Sequence, residues 1–390
     1  LSVRKGISCR KGRRIMKNRL DNLLKDTAVY DCLSCGKCTT NCPLAIAGAD
    51  YSPRKIANRA IMGQNPAGAD ADPWSCLTCG ACEAVCPAAV DYTGFVRRSR
   101  EVAQETGDEG RCSHSGIFQS LPRLHTSPDL KQDRLGWITP DLEVSEQSEI
   151  ALFVGCAPYY DAVFENFGVS STASAKGAIR LLNRLGFAPM VLADERCCGH
   201  DALWNGDHET FEKLAEQNVA ALEESGAETV LTTCPECFLA LGQLYPKALG
   251  NMPFEARHFY DFLLEHKDRL EFQQNGKSVT FHDPCRLARH AGECDSPRDL
   301  IALAGKELGE MPRSRQESVC CGTAGWSQCS MISKQMQRDR LREAAATGAD
   351  TLVTACPKCL IHLSCADHDE STGIALQDLT ALLSDALPET

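Results

Sequence analysis

The chain has 390 residues, a formal net charge of −11 and 23 cysteines, an unusually high number. Secreted disulfide scaffolds use cysteine this densely, but they are short chains that follow an apolar signal peptide, and residues 1–20 contain no such apolar stretch. No segment approaches the ~18 consecutive apolar residues of a membrane helix. We therefore expect a cytoplasmic protein of two or three domains whose thiols stay reduced or bind metal.

Residues 1–29 form a basic arm at the N-terminus. Positions 1–20 carry eight Lys and Arg and no acidic residue, so the rest of the chain is more acidic than the total suggests. We interpret the arm as a solvated segment or as a docking segment for a partner subunit. The rest of the sequence has no basic, aromatic-rich surface pattern, and we expect no nucleic-acid partner.

Two cysteine runs dominate residues 30–103: "CLSCGKCTTNCP" and "CLTCGACEAVCP". Both follow the spacing C-x2-C-x2-C-x3-C-P, in which three cysteines bind one [4Fe–4S] cluster and the fourth reaches the neighbouring cluster. Zinc is the competing metal, but four ligands per ion do not account for eight cysteines with two matched prolines. The predicted ligand sets are Cys32, Cys35, Cys38 and Cys86 for one cubane cluster, and Cys76, Cys79, Cys82 and Cys42 for the other.

Helices are predicted around these runs. "SPRKIANRAIMGQ" has a serine and a proline at a helix start, and its apolar residues fall on one face. "DYTGFVRRSREVAQETG" is also helical in pattern. Residues 30–103 therefore predict a helical two-cluster, ferredoxin-like domain. Residues 104–148 are rich in Ser, Gly, Pro and charge, which is typical of a linker or a wrapping segment.

Residues 149–272 alternate apolar runs with helical segments, which predicts a parallel sheet covered by helices. The runs "EIALFVGC", "FAPMVLAD" and "AETVLTTCPEC" lead into cysteines. The cysteines of this domain are Cys156, Cys197, Cys198, Cys234 and Cys237. They fall at strand ends or in the loops that follow, and ligands bind at that edge of a parallel sheet.

Residues 273–390 repeat this arrangement. "GADTLVTACPKC" matches "GAETVLTTCPEC" at seven of twelve positions. The cysteines of the second copy are Cys285, Cys320, Cys321, Cys356 and Cys359. The second half is therefore predicted to be an internal duplication of an α/β domain with a parallel sheet.

Each copy carries five cysteines, including an adjacent pair followed by glycine. Five thiolates exceed the needs of one zinc ion or one cubane, whereas an adjacent pair can bridge two irons of a larger, open cluster. Two alternatives stay open: one cubane per copy with a spare cysteine, or structural zinc. The remaining cysteines are interpreted as buried, inert thiols: Cys9, Cys112, Cys294, Cys329 and Cys365.

With these motifs the sequence resembles the cysteine-rich CCG-domain iron–sulfur proteins, above all the heterodisulfide reductases. "HDPCRLARHAGECDSPRDL" and the two five-cysteine arrays are similar to the B-type chain of that family, and residues 32–100 to its C-type chain. Their order in one chain is similar to the fused D-type chain. The resemblance implies an α+β multi-domain fold, two cubane and two non-cubane [4Fe–4S] clusters, and reduction of a disulfide between the two non-cubane clusters.

The resemblance leaves a second function open. Related CCG chains occur in class II benzoyl-CoA reductase and glycolate oxidase, so the chain is alternatively an electron relay without a disulfide substrate. No G-x-G-x-x-G fingerprint opens a helix after a strand, so electrons must come from a partner. The expected partners are an HdrA-like flavoprotein or another electron-donor subunit, or a membrane cytochrome that would hold the chain at the cytoplasmic face.

Three polar residues next to the cysteine motifs are candidates for catalysis. His200 follows the first CCG motif, and His282 and Arg286 flank Cys285. The histidines would assist protonation or bind substrate, and Arg286 would pair with an anionic group of the substrate. The alternatives are a histidine that holds a loop by hydrogen bonds and an arginine in an ordinary salt bridge.

Overall fold

The structure is a computed structural model that describes residues 19–64, 72–108, 110–274, 276–323, 325–327 and 329–388. The predicted basic arm up to residue 18, including Cys9, lies outside these residues. Within them, a helical N-terminal part precedes two units that each contain a parallel sheet. The prediction of a helical two-cluster domain followed by two α/β domains is confirmed at the level of the fold.

The N-terminal part contains helices and no strand among its described residues. Residues 19–26 are helical, and the further helices are α1 (Lys37–Thr40), α2 (Pro43–Ile46), α3 (Pro53–Ile61) and α4 (Tyr92–Glu105), with 3-10 turns at Val29–Asp31 and Pro73–Ser75. Ser52 caps α3 by accepting the backbone N–H of Lys55, and Asp91 caps α4 by accepting that of Gly94. These side chains satisfy backbone donors that a helix start leaves unpaired, so both helices begin at sharply defined positions.

The segment 104–148 packs into the molecule. It contains a 3-10 turn (His114–Gly116) and helix α5 (Ile117–His125). On α5, Phe118 stacks on Trp326 with ring centroids 4.0 Å apart and meets Tyr160 edge-on at 5.5 Å. Because Tyr160 and Trp326 belong to different α/β units, the segment holds both units together, and a wrapping segment describes it better than a free linker.

The first α/β unit has a three-stranded parallel sheet in the order β1-β2-β3. Its strands are β1 (Ile150–Leu152), β2 (Thr229–Thr232) and β3 (Glu255–His258). Its helices are α6 (Ala157–Phe164), α7 (Thr172–Arg184), α8 (His200–Trp204), α9 (His208–Ser225), α10 (Pro235–Leu239), α11 (Tyr245–Leu249) and α12 (Phe259–Glu265). The apolar run at 187–194 contributes a single bridge, Met190 to Ala151, and not a full strand.

The second α/β unit has a four-stranded parallel sheet in the order β5-β4-β6-β7. Its strands are β4 (Ser278–His282), β5 (Glu307–Leu308), β6 (Thr351–Thr354) and β7 (Ala375–Asp378). Its helices are α13 (Ser296–Leu303), α14 (Met331–Ala345), α15 (Pro357–Glu370) and α16 (Leu379–Asp385). A π-helical turn, Arg286–His290, follows Cys285 directly.

The two α/β units pack reciprocally. Helix α7 of the first unit contacts α16 of the second, and α12 of the first contacts α13 of the second. In each contact a helix from the start of one repeat meets the last helix of the other. The units are therefore related by a pseudo-two-fold axis, and they share one apolar core that includes Leu182, Phe259 and Phe281.

Close approach across this axis depends on a glycine. A Cβ atom at Gly177 of α7 would lie 2.8 Å from the carbonyl oxygen of Thr380 in α16. We expect Gly177→Ala to lower the thermal unfolding midpoint, because an overpacked contact costs about 1–3 kcal/mol, against a gain in helix propensity of about 1 kcal/mol. Gly242→Ala is the control, since its nearest neighbours are 3.8 Å away. An equal response of both variants would contradict the predicted close contact.

Candidate metal centres

The first three cysteines of the N-terminal part lie on one surface loop. Cys32 and Cys38 are half-buried and Cys35 is exposed. Left-handed backbone at Ser34 (φ 52°) and Gly36 (φ 88°) bends the loop tightly between them. Burial raises the pKa of Cys38, and Cys32 and Cys35 raise it further. The three thiols are thus within electrostatic reach of one another at the protein surface.

Four other cysteines line one small cavity with mostly apolar and aromatic walls: Cys42, Cys76, Cys79 and Cys82. Cys42 comes from the first run, and the structure brings it to the cysteines of the second. Burial raises the pKa of Cys42 to about 12, and the neighbouring Cys79 and Cys76 add to the effect. Cys86, the last cysteine of the second run, is half-buried. Four soft thiols around one apolar cavity fit a cubane cluster.

The five cysteines of the first α/β unit form a continuous chain of thiol contacts, in the order Cys156, Cys197, Cys198, Cys237 and Cys234. We call this set the first array. Cys156 follows β1, Cys234 and Cys237 follow β2, and the adjacent pair follows the run that carries the Met190 bridge. The adjacent pair lies in the middle of the chain of contacts, so each member faces a different flanking thiol.

A buried ion pair holds the loops of the first array. Glu195 accepts the backbone N–H groups of Val154 and Gly155, which precede Cys156. Arg134 pairs with the Glu195 carboxylate and donates to the Gly155 carbonyl at 2.9 Å. Both side chains are almost completely buried, at 1% and 2% exposure. Arg134 lies in the wrapping segment, which therefore fixes the distance between two cysteine loops.

The second α/β unit repeats the pattern, and we call its five cysteines the second array. Their contacts run in the order Cys285, Cys320, Cys321, Cys359 and Cys356. The sulfur atoms of Cys321 and Cys359 are 3.3 Å apart. In this unit Asp283 holds the loops together, because it pairs with Arg298 and accepts the backbone N–H of Arg315.

The pKa values of the crowded thiols indicate whether the arrays suit a metal cluster. In the first array, hydrogen bonding to Cys197, burial and neighbouring thiols raise the pKa of Cys156 and of Cys198 well above the ordinary value. In the second array Cys320 and Cys359 are affected in the same way. Five adjoining thiols, most of them buried, cannot all ionise side by side without a cation, and thiolates are the ligands that iron–sulfur clusters use. The donor sets of both arrays fit such a group.

The second array touches the N-terminal part directly. The thiols of Cys79 and Cys320 lie within hydrogen-bonding distance, which lowers the pKa of Cys79 to about 6. Arg286 donates to the carbonyl oxygen of Thr78 at 2.7 Å and to its hydroxyl at 2.8 Å. Arg289 donates to the Cys79 carbonyl at 2.6 Å. The loop of the second cysteine run is thus fixed against the second array.

The two arrays face each other across a buried cluster of charges. Lys358, between Cys356 and Cys359, pairs with Glu236 and with Asp201 at 2.6 Å, both from the first unit. Nδ1 of His200 lies 3.1 Å from Asp201 and 3.6 Å from Glu236. Lys358 is 2% exposed and the carboxylates little more than 10%. The charged residues therefore occupy the space between the arrays.

The three predicted catalytic residues are buried beside the arrays. His282 accepts a hydrogen bond from Arg340 at Nδ1, and burial lowers its pKa to about 4. Nε2 of His282 and Nε2 of His200 are buried without a hydrogen-bond partner among the described residues. Arg286 stacks over the ring of Trp204 at 4.2 Å. Five cavities stand out in the described part of the chain, and none is lined by these three residues.

Sequence reasoning missed Lys358 and Arg134. A signal for Lys358 was present: Glu236 in "CPEC" and Lys358 in "CPKC" occupy equivalent positions of the duplication with opposite charges. Equivalent positions near a pseudo-two-fold axis face each other, so the charge reversal indicates a salt bridge. No comparable signal marks Arg134, since its partner is 61 residues away in a different segment.

The cysteines outside the arrays differ in their environments. Cys294 is buried and Cys365 is half-buried, with Nζ of Lys334 2.9 Å from the Cys365 sulfur. Cys112 and Cys329 are exposed. The prediction of burial is therefore wrong for these two, because apolar character alone does not fix where a cysteine falls on a surface loop.

Comparison with known proteins agrees with this organisation. The cysteine-rich CCG domain matches residues 150–242 and 279–364, and the 4Fe-4S dicluster domain matches residues 28–90. The D-type chain of the dihydromethanophenazine:CoB–CoM heterodisulfide reductase of Methanosarcina barkeri is 32% identical over 303 residues, 74% of this chain and 71% of that relative. The chain belongs to the CCG-domain iron–sulfur protein family. It is an iron–sulfur electron-transfer subunit related to that reductase chain.

Other relatives carry different names. The EtfAB:quinone oxidoreductase of Syntrophomonas wolfei is 28% identical over 60% of this chain and 34% of its own length. The B-type chain of the fumarate reductase (CoM/CoB) of Methanothermobacter marburgensis is 25% identical over 89% of this chain and 59% of its own length. In the described part of this CCG-domain chain, every helix is too short or too polar to span a bilayer.

Proposed function

We propose that this CCG-domain protein is the disulfide-reducing subunit of a heterodisulfide reductase-like complex. The observation that carries the proposal is that the two five-thiol arrays face each other across the pseudo-two-fold axis, joined by Lys358, Asp201 and Glu236. A disulfide is itself nearly two-fold symmetric about its S–S bond. Two equivalent metal sites on either side suit a reaction that needs two electrons.

The proposed cofactors are two cubane and two non-cubane [4Fe–4S] clusters, which would supply one-electron transfer to a bound disulfide. The cubane ligands would be Cys32, Cys35, Cys38 with Cys86, and Cys76, Cys79, Cys82 with Cys42. The non-cubane ligands would be the first and second arrays. The exposed loop of Cys35 suits entry of electrons from a donor subunit, such as a flavoprotein or a membrane cytochrome, at the cytoplasmic side. Because Cys79 contacts Cys320, the second array would receive electrons directly after the cluster that Cys79 would hold.

The reaction breaks one S–S bond: a disulfide, two electrons and two protons give two thiols. We propose that His200 and His282 contact the substrate through Nε2 and assist its protonation, because each has a buried Nε2 without a partner among the described residues. Arg286 would act as a positioning residue, since it joins the loop of Thr78 to that of Cys285. A substrate would have to displace part of the charge cluster around Lys358.

A second function, electron relay without a disulfide substrate, is favoured by one specific observation. None of the five cavities seen among the described residues is lined by a cysteine of either array. Relatives named as quinone and fumarate enzymes are similar in sequence to this chain. Under this hypothesis the charge cluster would be a permanent part of the path between the arrays.

An assay with reduced methyl viologen as donor and the CoB–CoM heterodisulfide as probe separates the two functions. For the reductase we expect viologen oxidation that depends on the disulfide, with two thiols released for each disulfide consumed. Cys198→Ser and Cys321→Ser should each abolish it. Clusters that accept electrons from viologen while no thiol is released would contradict the reductase and support the relay.

A further inference from the structure

We propose that a cavity where three parts of the chain meet binds a small organic anion with an apolar body. Its volume is about 560 Å³, within the range of roughly 300–1,000 Å³ of small-molecule sites. Its lining comes from the loop after Cys79, from helices of the first α/β unit and from the end of the π-helical turn Arg286–His290. This proposal goes beyond the redox function above and does not rest on it.

Two buried hydrogen-bond donors in the lining lack an acceptor. Nε1 of Trp204 and Nη2 of Arg289 are buried and have no hydrogen-bond partner among the described residues. The other guanidinium nitrogens of Arg289 are engaged, with the carbonyl oxygens of Cys79, Gln316 and Ser318. An unsatisfied buried donor costs free energy. A ligand that accepts hydrogen bonds would satisfy the Trp204 indole N–H, and it would add an acceptor to the Arg289 guanidinium, which also interacts with the Cys79 thiol.

Two further cations in the lining, the half-buried Arg97 and the exposed Lys247, have no partner among the described residues. Arg97 of α4 and Lys247 of α11 make no hydrogen bond and no ion pair to any residue that the structure describes. Arg97 is half-buried, and burial lowers its pKa although Glu101 and Asp91 act in the opposite direction. A partly desolvated guanidinium is a strong partner for a carboxylate or phosphate, which it binds through two parallel hydrogen bonds.

The acidic residues of the lining are already engaged with the backbone. Glu83 accepts the N–H of Thr93, and Asp91 accepts the N–H of Gly94 at 2.7 Å as the cap of α4. Three cationic side chains, Arg97, Lys247 and Arg289, therefore outnumber the two carboxylates of the lining. The excess of positive charge favours anions over cations.

The opposite wall is apolar and aromatic. It is formed by side chains of the first α/β unit: Leu203, Trp204, Phe211, Leu239 and Leu244. A free inorganic anion would leave this wall in contact with water, whereas a ligand with an apolar body would cover it at a gain of roughly 25 cal/mol per Å². The ligand class is therefore an amphipathic organic anion with a carboxylate or phosphate head.

Titration calorimetry on the full, cluster-containing chain tests the site with three probes: octanoate, octyl phosphate and octylamine. We expect both anions to bind and octylamine not to bind, and the tighter anion identifies the preferred head group. Arg97→Gln and Lys247→Gln should each weaken binding about tenfold, the loss of one charge-assisted contact. Lys213→Gln, on the exposed face of α9 and paired with Glu209, is the matched control.

Three results would overturn the proposal: octylamine binding as tightly as octanoate, no binding of either anion, or binding by the two cavity variants equal to that of Lys213→Gln. The visible absorption of the clusters reports whether each variant is folded. Lys247 forms no hydrogen bond or ion pair within the described residues, so Lys247→Gln keeps the test valid if Arg97→Gln does not fold.

Discussion

Replacing Cys321 with serine is expected to remove the cluster of the second array and leave the other three in place. Cys321 lies in the middle of its array, in contact with Cys320 and with Cys359 at 3.3 Å. Serine is a harder, less easily ionised ligand that iron–sulfur clusters do not favour. Iron should fall from about 16 to about 12 atoms per chain. Cys198→Ser should have the same effect on the first array.

Electron paramagnetic resonance and iron analysis on anaerobically purified variants measure this loss. The matched control is Cys294→Ser, which changes a buried cysteine that belongs to neither array and whose thiol lies 3.8 Å from the Ala288 carbonyl oxygen. Should both array variants keep all four clusters, the adjacent pair would provide one ligand and one bystander. The alternative of one cubane per copy would then hold.

Replacing Lys358 with methionine is expected to lower the free energy of unfolding by about 3–5 kcal/mol, the usual cost of removing one partner of a buried ion pair. Burial lowers the pKa of Lys358, but Asp201 and Glu236 outweigh it and hold the pKa well above its ordinary value. Without the lysine, two little-exposed carboxylates would remain between the arrays without their cation. We expect one or both to bind a proton and the two units to loosen.

Thermal unfolding of the cluster-containing protein measures the effect, with Lys213→Met as control. Lys213 pairs with Glu209 on an exposed helix face, where an ion pair contributes about 0.3–0.5 kcal/mol. A charge exchange gives a second test: Glu236→Lys combined with Lys358→Glu should recover most of the loss, because the two positions are equivalent in the duplication. If both single variants were as stable as the parent, there would be no loss for the exchange to recover. That result would show that the charges do not join the units.

The sequence predicts much of this molecule for identifiable reasons. The cysteine runs have a spacing that few sites share, and the apolar runs before Cys156 and Cys285 are long enough to be buried strands. The run at 187–194 is just as apolar, yet Met190 makes only one bridge in the described sheet. A local pattern cannot distinguish a strand from a buried loop, because the difference depends on which neighbour offers hydrogen bonds.

The charged residues that hold the array loops in place are harder to predict. Arg134 lies in a segment of low apolar content. Its role in holding the cysteine loops depends on its contact with Glu195, 61 residues later. Such pairs depend on tertiary contacts, and no local period reveals them. The contact of Lys358 could in principle be predicted, because the duplication supplies its counterpart Glu236. An internal repeat thus carries information about contacts across its axis that a single domain does not.

Iron and acid-labile sulfide analysis of the anaerobically prepared protein decides whether both arrays hold clusters. Four clusters of four irons predict about 16 irons and about 16 sulfides per chain. That result would show that both five-thiol arrays carry clusters in addition to the two of the N-terminal part. A count of about eight irons, accompanied by zinc in a fixed ratio to the protein, would contradict the four-cluster composition, because only the N-terminal clusters would then remain.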